Sequence, residues 1–212
     1  FNLIKSENVV KSRYAGDNLN LLSEDQLQLK KLRRTMAIDG ITQFAEYMSV
    51  DDIKKVFAFF INFALGDLDE EVSNHTVKNG VIIIQKNLEH TKTMLPIFQR
   101  FLNAKKKSKD TKVITGSVIV FMGSLAEAMG ADDKKLQGIL KQMLDVLDLP
   151  SEGVQQSICE VLVPLVRKLS HKQLGALVKA LIAKTRTAGS SNYSIRRGGA
   201  YGIAGLVAGV GV

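Results

Sequence analysis

Residues 56–88, VFAFFINFALGDLDEEVSNHTVKNGVIIIQKNL, decide how the chain is read. Val56, Phe57, Phe60, Ile61, Ala64 and Leu65 recur three and four residues apart, the spacing that lines up one buried face of a helix. The turn GDLDEEV (66–72) follows, and a second helical run ends in VIIIQKNL (81–88). Helix, short turn, helix is therefore the unit.

The unit recurs. TMLPIFQRFL (93–102) precedes KVITGSVIVFMGSL (112–125), LQGILKQMLDVL (136–147) precedes VQQSICEVLVPLV (154–166), and LGALVKALI (174–182) precedes IRRGGAYGIAGLV (195–207). Anchors at Leu32, Val72, Val113, Val154 and Ile195 are 40, 41, 41 and 41 residues apart. Five residues after each anchor stand Ala37, Val77, Val118, Cys159 and Ala200; twelve after stand Phe44, Ile84, Leu125, Val166 and Val207. Turns such as DLPSEGV (148–154) supply Pro, Ser and Gly where a helix pair must reverse. A helix pair of about 40 residues, apolar on more than one face, fits an all-α, HEAT-type α-solenoid with a period of about 41 residues. The expected organisation is one array over 1–212: a partial or divergent repeat over 1–49, then repeats over 50–90, 91–130, 131–169 and 170–212. RYAGDNLN (13–20) interrupts any first helix, and the apolar last helix lacks a polar cap, so the chain reads as a slice of a longer array.

Composition agrees. Trp is absent, aromatics make up 6% and there are three prolines, which favours long helices over many short strands. The single cysteine, Cys159, excludes an internal disulfide framework, and His75, His90 and His171 lack metal-ligand spacing. Glu70–Glu71 and Asp132–Asp133 fall at turns or helix starts, where carboxylates meet the positive end of a helix dipole. Cys159 takes a repeat position otherwise filled by Val or Ala, as a small core residue does. No catalytic constellation is present, and neither enzyme activity, cofactor, metal nor small-molecule substrate is expected.

Charge is unevenly placed. Of 29 Lys and Arg residues, eight follow Glu160, the last of the 21 acidic residues, so the net +8 resides in residues 161–212. Lys172, Lys179 and Arg186 are seven apart and share one helix face, with Leu174, Leu177, Val178, Leu181 and Ile182 on another. With Arg196 and Arg197 they form a one-sign surface suited to nucleic-acid phosphates or to an acidic protein. A second basic run, KKKSKDTK, places Lys105, Lys106, Lys107 and Lys109 between two helices, where charge is commonly just solvated. Aromatic interleaving is lacking, so phosphate contact is expected and base stacking is not.

The tail SIRRGGAYGIAGLVAGVGV (194–212) holds Gly198, Gly199, Gly202, Gly205, Gly209 and Gly211. Each costs an isolated helix about 1 kcal/mol relative to Ala. A phosphate loop would have to follow a strand, and the uncharged stretch 198–212 is shorter than the roughly 20 residues a membrane span needs. No membrane partner is expected. Gly198, Gly202, Gly205 and Gly209 are four, three and four apart, and Gly116 and Gly123 stand at the offsets of Gly198 and Gly205 two repeats earlier. The tail thus reads as a second helix whose small residues admit a close neighbour.

Arg196, Arg197, Gly198, Ala200, Tyr201, Gly202, Ala204, Gly205, Leu206 and Val207 resemble the Arg–Arg/Lys–Gly–Ala–Ala–Tyr–Gly–Leu–Ala–Gly–Leu–Val segment of the very large HEAT-repeat translational activators of the general amino-acid control pathway. LDLPSEGVQQSICEVLVPLV (147–166) is similar to the repeat just upstream in that family. Gly199 stands where Ala is usual and Ala208 where Lys is expected, which removes one basic residue. Close resemblance covers 136–212, and residues 1–135 agree in architecture. The resemblance implies a cytoplasmic, non-catalytic scaffold on stalled or collided ribosomes, near the part similar to fungal elongation factor three. Its partners would be ribosomal RNA and ribosomal proteins and, through other regions of the full protein, the kinase that phosphorylates the alpha subunit of initiation factor two. A nuclear-transport receptor or phosphatase scaffold, holding acidic peptides, is the alternative.

Overall fold

The computed structural model describes residues 23–67, 69–104, 109–187, 189 and 192–211, with the side chains of 109–111 outside the description. Among the described residues there are nine α-helices and no strand. We label them α1 (Glu24–Gln43), α2 (Val50–Phe59), α3 (Glu70–Gln85), α4 (Thr91–Asn103), α5 (Lys109–Leu125), α6 (Lys134–Val146), α7 (Glu152–Val166), α8 (His171–Thr185) and α9 (Tyr193–Val210). The fold is all-α, of the HEAT-type solenoid class. Two compact units, Phe1–Lys86 and Asn87–Val212, divide the chain.

Local chemistry sets the helix starts. Ser23, Ser49, Asp69, Asp133, Ser151 and Ser170 each occupy an N-cap and accept a hydrogen bond from a first-turn N–H that the helix itself leaves unpaired. Ser23 with Gln26, and Ser170 with Gln173, close this into reciprocal capping boxes. Glu70 and Glu71 lie in the first turn of α3, and Asp133 caps α6, so the acidic pairs are helix-start chemistry.

In the first unit, the stripe read from 56–65 is the core: Val56, Phe57, Phe60, Ile61, Ala64 and Leu65 are all buried. α2 widens into a π turn over Phe60–Ala64, closed by Leu65 N–H donating to the Phe60 carbonyl at 2.9 Å. Phe57 and Phe60 meet edge to face, with ring centroids 6.0 Å apart. α1 packs along α3, and the two are joined at repeat distance: Lys31 pairs with Glu71, and Asp39 accepts from Asn79 at 3.3 Å. Beneath them Arg34 and Asp67 form a buried ion pair at 3.0 Å.

In the second unit, Phe98 and Phe121 stack obliquely at 5.6 Å, and Val118, Leu125, Leu136, Leu147, Ile158, Leu165 and Leu181 are fully buried. Pro96 and Pro164 sit inside α4 and α7, each removing one helical hydrogen bond. Leu165 and Val166, beyond Pro164, stay buried, so tertiary packing holds the helix through the proline.

The glycines of α9 are where its neighbours press closest. A Cβ built on Gly198 would collide with the Leu147 carbonyl oxygen, and one on Gly205 would lie 2.5 Å from the carbonyl oxygen of Cys159. Gly205 and Gly209 thus let α9 lie against the α7 backbone at Cys159 and Val163, while Gly198 lets the start of α9 approach the Leu147 carbonyl just past the end of α6. Gly202 departs from the single-face reading: it meets Leu181 of α8 as well as Leu147. Gly199 joins it on that side, against Lys184 and Thr185.

Candidate nucleic-acid interface

α8 presents the basic stripe. Residues 172, 175, 176, 179, 183 and 186 follow helical spacing on its outer side, and all are exposed. Lys172, Lys179 and Arg186 are therefore separated by small residues, Gly175, Ala176 and Ala183, with about 10.5 Å between successive cations at 1.5 Å rise per residue. Leu177 and Leu181 anchor the opposite face, with Leu174, Val178 and Ile182 half-buried beside them. Arg186 is the C-cap, where a cation also complements the helix dipole.

The remaining basic residues of 161–212 are engaged with other groups of the chain. Arg197 donates from Nε to Gln155 Oε1 at 2.8 Å, from Nη1 to Glu152 Oε2 at 3.0 Å and from Nη2 to the Pro150 carbonyl at 3.0 Å. Its guanidinium also lies 5.6 Å from the Tyr193 ring centroid. Arg196 donates to the carbonyls of Thr187 (3.2 Å) and Gly189 (2.5 Å), bracing the α8–α9 loop. Lys184 pairs with Asp148 at 2.5 Å. Arg167 donates to the Gly209 carbonyl at 3.3 Å, and Lys168 to those of Glu127 and Met129.

The one-sign surface expected from residues 161–212 is therefore smaller than the sequence count implies. Glu152 and Asp148 come from one repeat earlier and neutralise Arg197 and Lys184. Lys172, Lys179 and Arg186 stay on the exposed face, whereas Arg196 and Arg197 hold structure together. Lys105, Lys106 and Lys107 lie outside the described residues, as does the side chain of Lys109, the first residue of α5.

The motif that carries the family resemblance is thus a packing motif. Tyr201 donates to Glu152 Oε1 at 2.8 Å while Arg197 holds the other oxygen, so one carboxylate receives both. That carboxylate holds the Tyr201 phenol above its ordinary pKa, because ionisation would forfeit the donated hydrogen bond. Gln155, buried beneath, points Nε2 at the carbonyls of Leu147, Leu149 and Ser194, each at 2.8 Å. Arginine and glycine together define the α7–α9 contact.

Chemistry of other kinds finds little to work with. Among the described residues no cluster of His, Cys, Asp and Glu could hold a metal ion, and no helix is long and apolar enough to cross a membrane. Burial raises the Cys159 thiol above its ordinary pKa, and the neighbouring Glu160 charge adds to the shift. Because the thiolate is the nucleophile, iodoacetamide at pH 8 should alkylate Cys159 several-fold more slowly in the folded chain than in urea-unfolded chain. Equal rates would place the thiol in water.

A family model for the HEAT repeats of the stalled ribosome sensor GCN1 matches residues 6–127. This match lies wholly upstream of the tail motif, in the part where the motif-based reading sees shared architecture alone. The chain is 32% identical over 170 residues to protein ILITYHIA of Arabidopsis thaliana, covering 79% of this chain and 6% of that protein. It is 30% identical over 174 residues to the human stalled ribosome sensor GCN1 (82% and 6%), and 29% identical over 186 residues to the eIF-2-alpha kinase activator GCN1 of Saccharomyces cerevisiae (85% and 7%). The chain thus spans about 6–7% of the length of these relatives. No solved structure gives a significant match. Repeat period, helix pairing and the family match over more than half the chain converge: the chain belongs to the HEAT-repeat family of the stalled ribosome sensor GCN1.

Proposed function

We propose that this chain is a non-catalytic segment of a cytoplasmic, ribosome-associated scaffold. In this reading the full protein lies along stalled or collided ribosomes. Through other regions it supports activation of the kinase that phosphorylates the alpha subunit of initiation factor two. Family membership and the names of the relatives, stalled ribosome sensor and eIF-2-alpha kinase activator, support it. The single structural observation that carries the local role is the exposed Lys172–Lys179–Arg186 line on α8. Its cations suit ribosomal RNA phosphates, which they would meet by summed charge, without reading sequence.

Ribosome co-sedimentation of the full-length protein across a salt series tests this. Lys172→Glu/Lys179→Glu/Arg186→Glu should weaken binding and flatten the log–log salt slope by about 2 to 3, the change expected on losing three phosphate contacts. Reversal of Lys55, exposed on α2, should leave both unchanged. An unaltered slope in the triple variant removes α8 from the ribosome contact.

A further inference from the structure

On the other flank of α8 lies a groove of different chemistry. It runs between α6 and α8, is closed at one end by the α7–α8 turn, and has a volume of about 540 Å³. Its floor is aliphatic: Leu140 and Leu177 are buried, and Leu144 and Leu169 are half-buried beside them. Lys141 and Lys172, both exposed, are the charged residues that line it, one from each helix, and no carboxylate lines it. Gln137, Ser170 and Gln173 add polar rim groups. Gly205 and Gly209 bring the second helices α7 and α9 into close contact, whereas Gly138 of α6 and Gly175 of α8 have no neighbour within 4 Å of a would-be Cβ.

We infer that this groove is a docking site for an acidic amphipathic helix of a partner protein, with aliphatic anchors on the leucine floor and carboxylates against Lys141 and Lys172. Charge complementarity selects the occupant. Two cations beside an apolar floor, one from each helix, repel a basic segment and favour an acidic one over a neutral one. The positive end of the α8 dipole, at Ser170–Lys172, adds to the same field. Other charges nearby do not cancel it: Asp145 is exposed on α6 but does not line the groove, Asp148 is held by Lys184, and Lys168 is directed to the Glu127 and Met129 carbonyls. Nucleic acid is the poorer fit, because leucines offer phosphates nothing and the groove has no aromatic ring for a base to stack on. Helix-in-groove binding uses this arrangement of an apolar floor with a charged rim. The inference does not depend on ribosome contact through Lys179 and Arg186.

The experiment places p-benzoylphenylalanine at Gln137, exposed on the rim, in the full-length protein, and irradiates it in cells. The expected result is an adduct to a protein peptide that carries aliphatic residues at helical spacing flanked by Asp or Glu. Lys141→Glu/Lys172→Glu should cut its yield at least fivefold, and Lys141→Gln/Lys172→Gln should cut it less. Lys179→Glu/Arg186→Glu should leave it intact, even where ribosome co-sedimentation is lost. An adduct to RNA, an adduct to a segment without acidic residues, the absence of any intermolecular adduct, or a yield unmoved by charge reversal would each overturn the inference.

Discussion

Gly198→Ala and Gly205→Ala each lower the stability of the chain by about 3 kcal/mol, at the upper end of the usual cost of overpacking. Gly175→Ala raises it by about 1 kcal/mol. Helix propensity alone predicts the same gain at all three positions, since each glycine lies inside a helix. Sterics separate them. The added methyl at Gly198 runs into the Leu147 carbonyl and comes within 2.9 Å of Gln155 Nε2. At Gly205 it lies 2.5 Å from the carbonyl oxygen and 3.0 Å from the Cα of Cys159. Both obstacles include backbone, which cannot rotate aside as a long side chain can, so α9 must lift from the Leu147 carbonyl in the one case and from α7 in the other. Gly175 has nothing within 4 Å of its would-be Cβ. Urea midpoints followed by circular dichroism decide the matter. A stabilised Gly198→Ala chain would mean that the start of α9 does not sit on the Leu147 carbonyl as described.

Those glycines also show how far a sequence can be read. Their spacing identifies a helix built for close approach, but not which neighbour approaches: Gly199 and Gly202 turn out to meet α8, Gly205 and Gly209 meet α7, and Gly198 meets the Leu147 carbonyl past the end of α6. The repeat itself is legible because burial repeats. Val72 and Val154 fall in the first turn of α3 and α7 and are fully buried, as the 41-residue register requires. The register is less informative where burial differs between copies: Leu32 and Phe44 in the first copy and Val207 in the last are exposed, although their equivalents Val72, Ile84 and Val166 are core.

Charge is where one-dimensional reading misleads. Glu152 and Arg197 are 45 residues apart, so a count along the chain leaves Arg197 unopposed, although the stacking of repeats brings the two within 3.0 Å. Gln155, central to that network, sits in the sequence as an unremarked amide. The signal that could have found it is the period itself, since repeat stacking places residues about 41 apart side by side. The α6–α8 groove left no such trace, because it depends on which helix pairs close and which stay apart.

A second large effect is expected in the first unit. Asp67→Ala should destabilise it by about 3–5 kcal/mol, the cost of breaking a buried ion pair by removing one partner. The Asp67 side chain is fully buried and that of Arg34 is 5% exposed, with Nε 3.0 Å from Oδ2. The other Asp67 oxygen accepts the Asp69 N–H at 2.9 Å, at the entrance to α3. Removing the carboxylate therefore breaks a buried ion pair, and it also frees the N–H of the residue that caps α3. Arg34→Met/Asp67→Leu distinguishes these costs. Apolar replacement of both partners removes both buried charges and should recover most of the loss, with a deficit of about 1 kcal/mol for the unmet Asp69 N–H. The recovery makes the two substitutions strongly non-additive in a double-mutant cycle. Amide hydrogen exchange in α1 and α3 should report it directly: protection falls in Asp67→Ala and returns in the double variant. If Asp67→Ala costs less than 1 kcal/mol, the pair is not the buried clasp between α1 and the α3 entrance.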